Sequence, residues 1–297
     1  MSFSAEVKTE LCRAMPGRVC CARAELYGVL LCCNTFTPRE IRIITESEAF
    51  AQRLPKLLAK AFDIEFDRLP SGEEQKFIFQ ITEAEKLTGI IDALGFDPNQ
   101  SSVLHVNFGL LEEECCRSAF LRGVFLSGGS MTDPLKHYHL ELATSHVQAS
   151  RELQALLTDM GHRPRQVMRG GYQVTYFKTS DQIEDLLTAI GAPVKAMELM
   201  NTRVEKELRN GVNRRVNCEA ANLDKAVDAA QEQLEAIRVL YELDRVEALP
   251  DKLKETIILR ETYPELTLAQ LAAEFDPPLT KSCLNHRLRK LIELSKQ

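Results

Sequence analysis

The sequence predicts an α+β protein in which one α-β-α-β-β-α unit occurs twice and a small all-α module follows. Three observations predict it. Ala24-Glu25-Leu26-Tyr27-Gly28-Val29-Leu30-Leu31 returns as Ala119-Phe120-Leu121-Arg122-Gly123-Val124-Phe125-Leu126, the same A-x-L-x-G-V-x-L pattern with its glycine moved from 28 to 123. Ile90-Ile91-Asp92-Ala93-Leu94-Gly95 is echoed by Leu186-Leu187-Thr188-Ala189-Ile190-Gly191 at nearly the same offset. A long period seen only twice marks a duplicated half rather than a solenoid. The third observation is the stretch 250–297, which has helical apolar spacing throughout and no strand pattern.

The elements follow in order. The opening Met1-Ser2-Phe3-Ser4-Ala5-Glu6-Val7-Lys8 is polar and reads as a helix, not a signal peptide. Each half then starts with a helix, 18–33 in the first copy and 112–128 in the second. A short strand comes next, Ile41-Arg42-Ile43-Ile44 and Tyr138-His139-Leu140-Glu141-Leu142, rich in branched residues or alternating with period two. A second helix is expected near 48–61 and 146–160. A hairpin follows near 64–81 and 163–178, with its turns at Pro70-Ser71-Gly72 and Gly170-Gly171. A third helix ends at Gly95 and Gly191, where glycine accepts the positive φ of a helix C′ position. The halves therefore span about 18–95 and 112–191 within a domain of residues 1–194.

Residues 195–244 are expected to join the domains as a basic connector and a long helix. Residues 192–217 show no strong apolar period, and Arg203, Lys206, Arg209, Arg214 and Arg215 make them locally basic. Arg203, Arg209, Arg214 and Arg215 are candidate accessory phosphate contacts, with a solvated linker as the simpler reading. In 218–244, Leu223, Val227, Ala230, Leu234, Ile237 and Tyr241 form a seam of alternating spacing four and three. Either a coiled-coil pair or packing against a neighbouring domain would bury that seam.

Residues 245–297 read as a three-helix module. Its first helix runs from about Pro250 to Glu261. Thr267-Leu268-Ala269-Gln270 announces the second with a capping box, and Asp276-Pro277-Pro278 stops it. Thr280 caps the third. At 100° per residue, Leu284, Leu288 and Leu291 share one face. Ser282, Asn285, His286 and Arg289 lie roughly opposite, with Lys281, Arg287 and Lys290 on the flanks. This is the composition of a recognition helix. The leucines pack inward, Ser, Asn and Arg offer donors and acceptors that match base edges, and basic flanks reach phosphates. The arrangement is a helix-turn-helix with its third helix in the major groove of double-stranded DNA.

Composition bounds the alternatives. The chain has 297 residues, 44% of them hydrophobic and 27% charged, as in an ordinary globular protein. No apolar run approaches the roughly 18 residues that a membrane span needs. The net charge of −6 argues against a protein coated for nucleic acid, yet residues 280–297 hold five basic side chains and one acid. Nine cysteines include the adjacent pairs Cys20-Cys21, Cys32-Cys33 and Cys115-Cys116. There is no CxxC and no Cys/His set at zinc-ligand spacing. Free thiols in a reducing cytosol, with no metal and no cofactor, are therefore expected.

The segment Pro277-Pro278-Leu279-Thr280-Lys281-Ser282-Cys283-Leu284-Asn285-His286-Arg287-Leu288-Arg289-Lys290-Leu291 resembles the C-terminal signature of the WhiA family. Asn213-Arg214-Arg215-Val216-Asn217-Cys218, Ala221-Asn222-Leu223-Asp224-Lys225, Ala229-Ala230 and Gln233 are similar to that family's interdomain segment. The opening Met1-Ser2-Phe3 and the stretch Phe125-Leu126-Ser127-Gly128-Gly129-Ser130 with Asp133-Pro134 are similar too. The resemblance implies a bacterial, cytoplasmic and nucleoid-associated protein. It implies a domain like the LAGLIDADG homing endonucleases, followed by a helix-turn-helix, and a role in transcriptional control of sporulation, or in cell division and chromosome segregation. It leaves the N-terminal domain free to contact phosphate or a protein partner.

Laid on the two copies, the LAGLIDADG motif falls on 26–34 and 121–129. The acid that holds the catalytic metal in the endonucleases is replaced by Cys33 and Gly128. Hard Mg²⁺ wants oxygen ligands, which neither side chain supplies. A non-enzyme is therefore expected. Asp133 and Glu112-Glu113-Glu114 are the remaining acids nearby; they more simply form a turn and complement a helix start. The competing function is an interaction protein of the division machinery with weak, non-specific DNA contact.

Overall fold

The computed structural model describes residues 2–14, 17–70, 76–96 and 104–297. It resolves into two compact units, Met1–Lys206 and Glu207–Gln297. Unit 1 opens with α1 (Phe3–Arg13), whose start is capped by the Ser2 hydroxyl accepting the Ala5 N–H. The first half then runs α2 (Val19–Cys32), β1 (Thr35–Thr37), β2 (Glu40–Thr45), α3 (Glu48–Phe62), β3 (Phe77–Ile81) and α4 (Ala84–Ala93). The second repeats that order as α5 (Glu114–Gly128), β4 (Gly129–Met131), β5 (Leu140–Thr144), α6 (Val147–Asp159), β6 (Arg165–Arg169), β7 (Tyr172–Phe177) and α7 (Ser180–Ile190).

Each half folds an antiparallel sheet, of order β1-β2-β3 and β4-β5-β7-β6. The register sends Ile41, Ile43, Phe79 and Ile81 inward in the first sheet. Leu140, Leu142 and Phe177 do the same in the second. The α2 and α5 helices are buried on nearly every side. Gly28 and Gly123 are what let them meet. A Cβ at Gly28 would overlap the Phe120 carbonyl, and one at Gly123 the Glu25 carbonyl. The duplicated glycine is thus a contact between two backbones.

Three features depart from the sequence expectation. Each half has an additional strand directly after its motif helix, β1 and β4, only three residues long. The hairpin of the second half forms as β6–β7 across Gly170 and Gly171, both at positive φ. In the first half its leading arm is reduced, among the described residues, to a bridge between Arg68 and Gln80. There the Asp67 carboxylate turns away to accept the N–H groups of Thr82 (2.6 Å) and Glu83 (2.8 Å) ahead of α4. Ser71 and Gly72 of the expected turn lie outside the described residues.

The third departure is the connector. Residues expected as an irregular linker and a separate long helix form one helix, α8 (Pro193–Glu242). Pro193 suits the first helical position, since its missing N–H has no partner to lose there. The Glu10 carboxylate takes the N–H groups of Val194 (2.8 Å) and Lys195 (2.9 Å). No further proline interrupts, and most of the stretch is Glu, Lys, Arg, Leu, Met and Ala, which favour helix. Residues 207–225 are exposed on every face, so no buried stripe marks this part of the helix. Of the expected seam, Leu223 and Val227 are exposed, while Ala230 and Ile237 are buried and Leu234 is half-buried.

Unit 2 adds α9 (Asp251–Thr262), α10 (Leu268–Ala273) and α11 (Lys281–Ser295). Its core joins Ile237 and Leu240 from the end of α8 to Ile257, Leu271, Ala272, Phe275, Leu284, Leu288 and Leu291. Among the described residues, no helix is long and apolar enough to cross a membrane.

Candidate nucleic-acid interface

Local chemistry sets the ends of α10 and α11. The Thr267 hydroxyl accepts the Gln270 N–H (3.4 Å), and the Gln270 side-chain oxygen accepts the Thr267 N–H (3.0 Å), a complete capping box. The Thr280 hydroxyl accepts the Cys283 N–H (3.2 Å) and so fixes where α11 begins. Leu284, Leu288 and Leu291 are each at most 1% exposed. That burial fixes the rotation of α11 and leaves its other face to solvent.

On that free face Lys281, Ser282, His286, Arg289 and Lys290 are exposed, and Asn285 is half-buried. The Lys290 ammonium lies 3.5 Å from Glu293, an exposed pair that costs little to open. Arg287 is placed differently from its neighbours. Its guanidinium donates to the Lys252 carbonyl (3.2 Å) and the Glu255 carboxylate (3.4 Å) of α9 and lies over the Phe275 ring. It therefore holds α11 onto α9 and onto Phe275, just past the end of α10. Arg260 does comparable work inside the module: it is 2% exposed and donates to the Leu266 carbonyl at 2.8 Å. Sequence periodicity gave no sign of either role, because both depend on partners from other helices.

The four accessory arginines separate. Arg203, in unit 1, lies 3.3 Å from the buried Glu184 carboxylate. Arg209, Arg214 and Arg215, in unit 2, are exposed on α8.

The far ends of α2 and α5 carry Cys33 and Gly128, the two positions on which the acid of the LAGLIDADG motif is expected to fall. The Cys33 thiol has the carbonyls of Leu30 (3.2 Å) and Thr35 (3.1 Å) as alternative acceptors for its one S–H. Burial pushes it up to about 12, so it is a neutral hydrogen-bond donor at physiological pH. Gly128 has no room for a side chain: a Cβ there would overlap the Ala143 carbonyl and lie 3.3 Å from the Cys32 sulphur. Asp133 is committed to a turn, its carboxylate accepting the Leu135 N–H at 2.8 Å. Glu112, Glu113 and Glu114 are exposed around the start of α5.

Comparison with known proteins places both units. Residues 117–209 match the WhiA LAGLIDADG-like domain and residues 212–295 the WhiA C-terminal HTH domain. A relative named probable cell division protein WhiA, from Alkaliphilus metalliredigens, is 36% identical over 309 residues, covering 99% of this chain and 98% of its own length. One of the same name from Ruminiclostridium cellulolyticum is 36% identical, covering 100% and 98%. The crystal structure of full-length DUF199/WhiA from Thermatoga maritima aligns with a TM-score of 0.62 at 26% identity, covering 100% of this chain and 98% of that one.

Proposed function

The chain belongs to the WhiA family, and from that premise we propose that it is a DNA-binding transcriptional regulator of cell division, chromosome segregation or sporulation, without nuclease activity. The observation that carries this reading is α11. Its leucine face is locked into a core, and a polar and basic face of the same helix is left open. Entering the major groove, Asn285 and Arg289 would reach base edges. Asn pairs well with adenine and Arg with guanine, each by two hydrogen bonds. Ser282 and His286 extend the same face. Lys281 and Lys290 would meet phosphate, and Arg287 would fix the helix angle from behind. Arg209, Arg214 and Arg215 are proposed as further phosphate contacts, with Arg203 reaching DNA only by leaving Glu184.

The absence of nuclease chemistry is argued from the motif-helix ends. A neutral thiol and a glycine without space for a side chain offer no oxygen to a hard cation. The N-terminal domain (about 1–194) would then add phosphate contacts or take a protein partner, joined through 195–244 to a DNA-reading module of 245–297. Such a protein would work in the cytoplasm, on the nucleoid.

A second reading, an interaction protein of the division machinery, is favoured by Val204, Leu208, Val212 and Val216, which lie exposed at four-residue spacing on α8. Chromatin immunoprecipitation with sequencing separates the two, comparing the intact chain with one ended after Ala248. Sharp promoter peaks lost on truncation support the regulator. Diffuse signal, unchanged by truncation, supports the interaction protein.

A further inference from the structure

The duplication brings together thiols that lie far apart in the chain. Cys20-Cys21 sits in the first turn of α2 or just inside it, and Cys115-Cys116 holds the same place in α5. Each pair precedes its motif glycine by eight and seven residues, so the pairs are equivalent positions of the two repeats. Because α2 and α5 pack against each other, the sulphurs converge. Those of Cys20, Cys21 and Cys116 all lie within 4.8 Å of one another. Cys20 and Cys21 are 4.0 Å apart. Cys115, the remaining thiol of the two pairs, is adjacent to Cys116 in the first turn of α5 and near enough to act electrostatically on Cys21. Neither a spacing rule nor a CxxC search finds such a set, since each helix contributes two adjacent residues.

We propose that Cys20, Cys21, Cys115 and Cys116 form a tetrathiolate site for a soft divalent cation, Zn²⁺ foremost, that ties the two halves of unit 1 together. The spacing suits the ion. A tetrahedral site with Zn–S bonds of about 2.3 Å holds its sulphurs about 3.8 Å apart, close to the 4.0 Å between Cys20 and Cys21 and a small contraction from the 4.8 Å that bounds the three-sulphur set. Sulphur donors select zinc and its soft neighbours over Mg²⁺ or Ca²⁺. The ion displaces the four thiol protons to solvent and leaves a site of charge −2. Arg18, close enough to act on Cys20, and Arg23, beside Cys20 and Cys116 in a cavity of about 200 Å³, bring positive charge to the site, against Glu112 and Glu113 in the same lining. The positive N-terminal ends of α2 and α5 add to the positive charge. This site is at the opposite ends of the motif helices from Cys33 and Gly128. It holds structure rather than supplying chemistry.

Cobalt tests it on the full-length chain, stripped with chelator and kept reduced by a phosphine. Wild-type protein titrated with Co²⁺ should bind one ion per chain, with a thiolate-to-metal charge-transfer band and the strong visible bands of tetrahedral cobalt. One equivalent of Zn²⁺ should bleach them and raise the melting temperature. C20S/C116S should lose the bands. C115S, which alters an exposed thiol with little risk to folding, should lose the tetrathiolate spectrum while keeping its circular dichroism. C218S, on α8, should bind as the wild type does. A reduced wild type that gives no band overturns the site, as does a band undiminished in C20S/C116S. Recovery of these four thiols as disulfides from metal-free, anaerobically purified protein would also overturn it, assigning the cluster to redox chemistry.

Discussion

At the scale of single residues, Glu25 is a buried charge that links the two halves. It is 1% exposed on α2, where its carboxylate meets the Arg53 guanidinium at 2.6 Å and that of Arg122, from the other half, at 3.3 Å. Arg53 also donates to the carbonyl of Ala14, and Arg122 to that of Ile190. One carboxylate thus pairs with a buried cation, Arg53, and a partly buried one, Arg122. Removing one partner of a buried pair typically costs about 3–5 kcal/mol. Glu25→Gln should cost that much in denaturant unfolding of unit 1; a loss below about 1 kcal/mol would show the triad to be incidental. On α11 the proposed roles divide. Asn285→Ala and Arg289→Ala should each relax base preference by about 1–3 kcal/mol. Lys290→Ala should weaken all duplexes alike and lower the salt slope by about one. Competition binding at two salt concentrations reads both quantities, and equal behaviour of all three variants would refute the assignment.

At the scale of elements, how legible each one was depended on what surrounds it. The motif helices α2 and α5 were plain in the sequence, because two backbones in contact demand Gly28 and Gly123 at equivalent places. Strands β1 and β4 were not, since three residues carry too little alternation to register. On α11 the leucine spacing gave the buried face, but only Glu255, Lys252 and Phe275 reveal that Arg287 turns inward. The thiol cluster was hidden for the same reason: its ligands are neighbours only after α2 and α5 pack. The sharpest lesson is α8, where the lack of a buried apolar face reflects solvent on all sides and not lack of helix. Such a stretch depends on propensity alone, and Gly211 is its weakest point. A Cβ there would meet nothing within 4 Å. Glycine in a helix interior costs about 0.5–1 kcal/mol relative to alanine. Gly211→Ala should therefore slow amide exchange across residues 205–225 by a few-fold; unchanged exchange would mean that something other than propensity holds the segment.

At the scale of the whole molecule, the described residues form two hydrophobic cores with no residue in common. The first spans the duplicated halves, α1 and the start of α8, down to Ala196 and Leu199. The second begins at Ile237 and ends at Leu291. The exposed part of α8 lies between them in sequence and contributes to neither. Cooperative unfolding follows shared burial, so two separate cores should melt as two transitions. Leu288 tests this, being 1% exposed in the second core and on the helix proposed to read DNA. Leu288→Ala should cost about 2–5 kcal/mol, and a module of this size loses about 4–8 °C per kcal/mol. In calorimetry of the intact chain, the transition of unit 2 should drop by roughly 10 °C or more while that of unit 1 stays in place. Duplex binding measured above the lowered midpoint should vanish with it. A single transition that moves as a whole would show the cores to be coupled. The proposed division, in which one unit reads DNA and the other serves a different contact, would then have no thermodynamic basis.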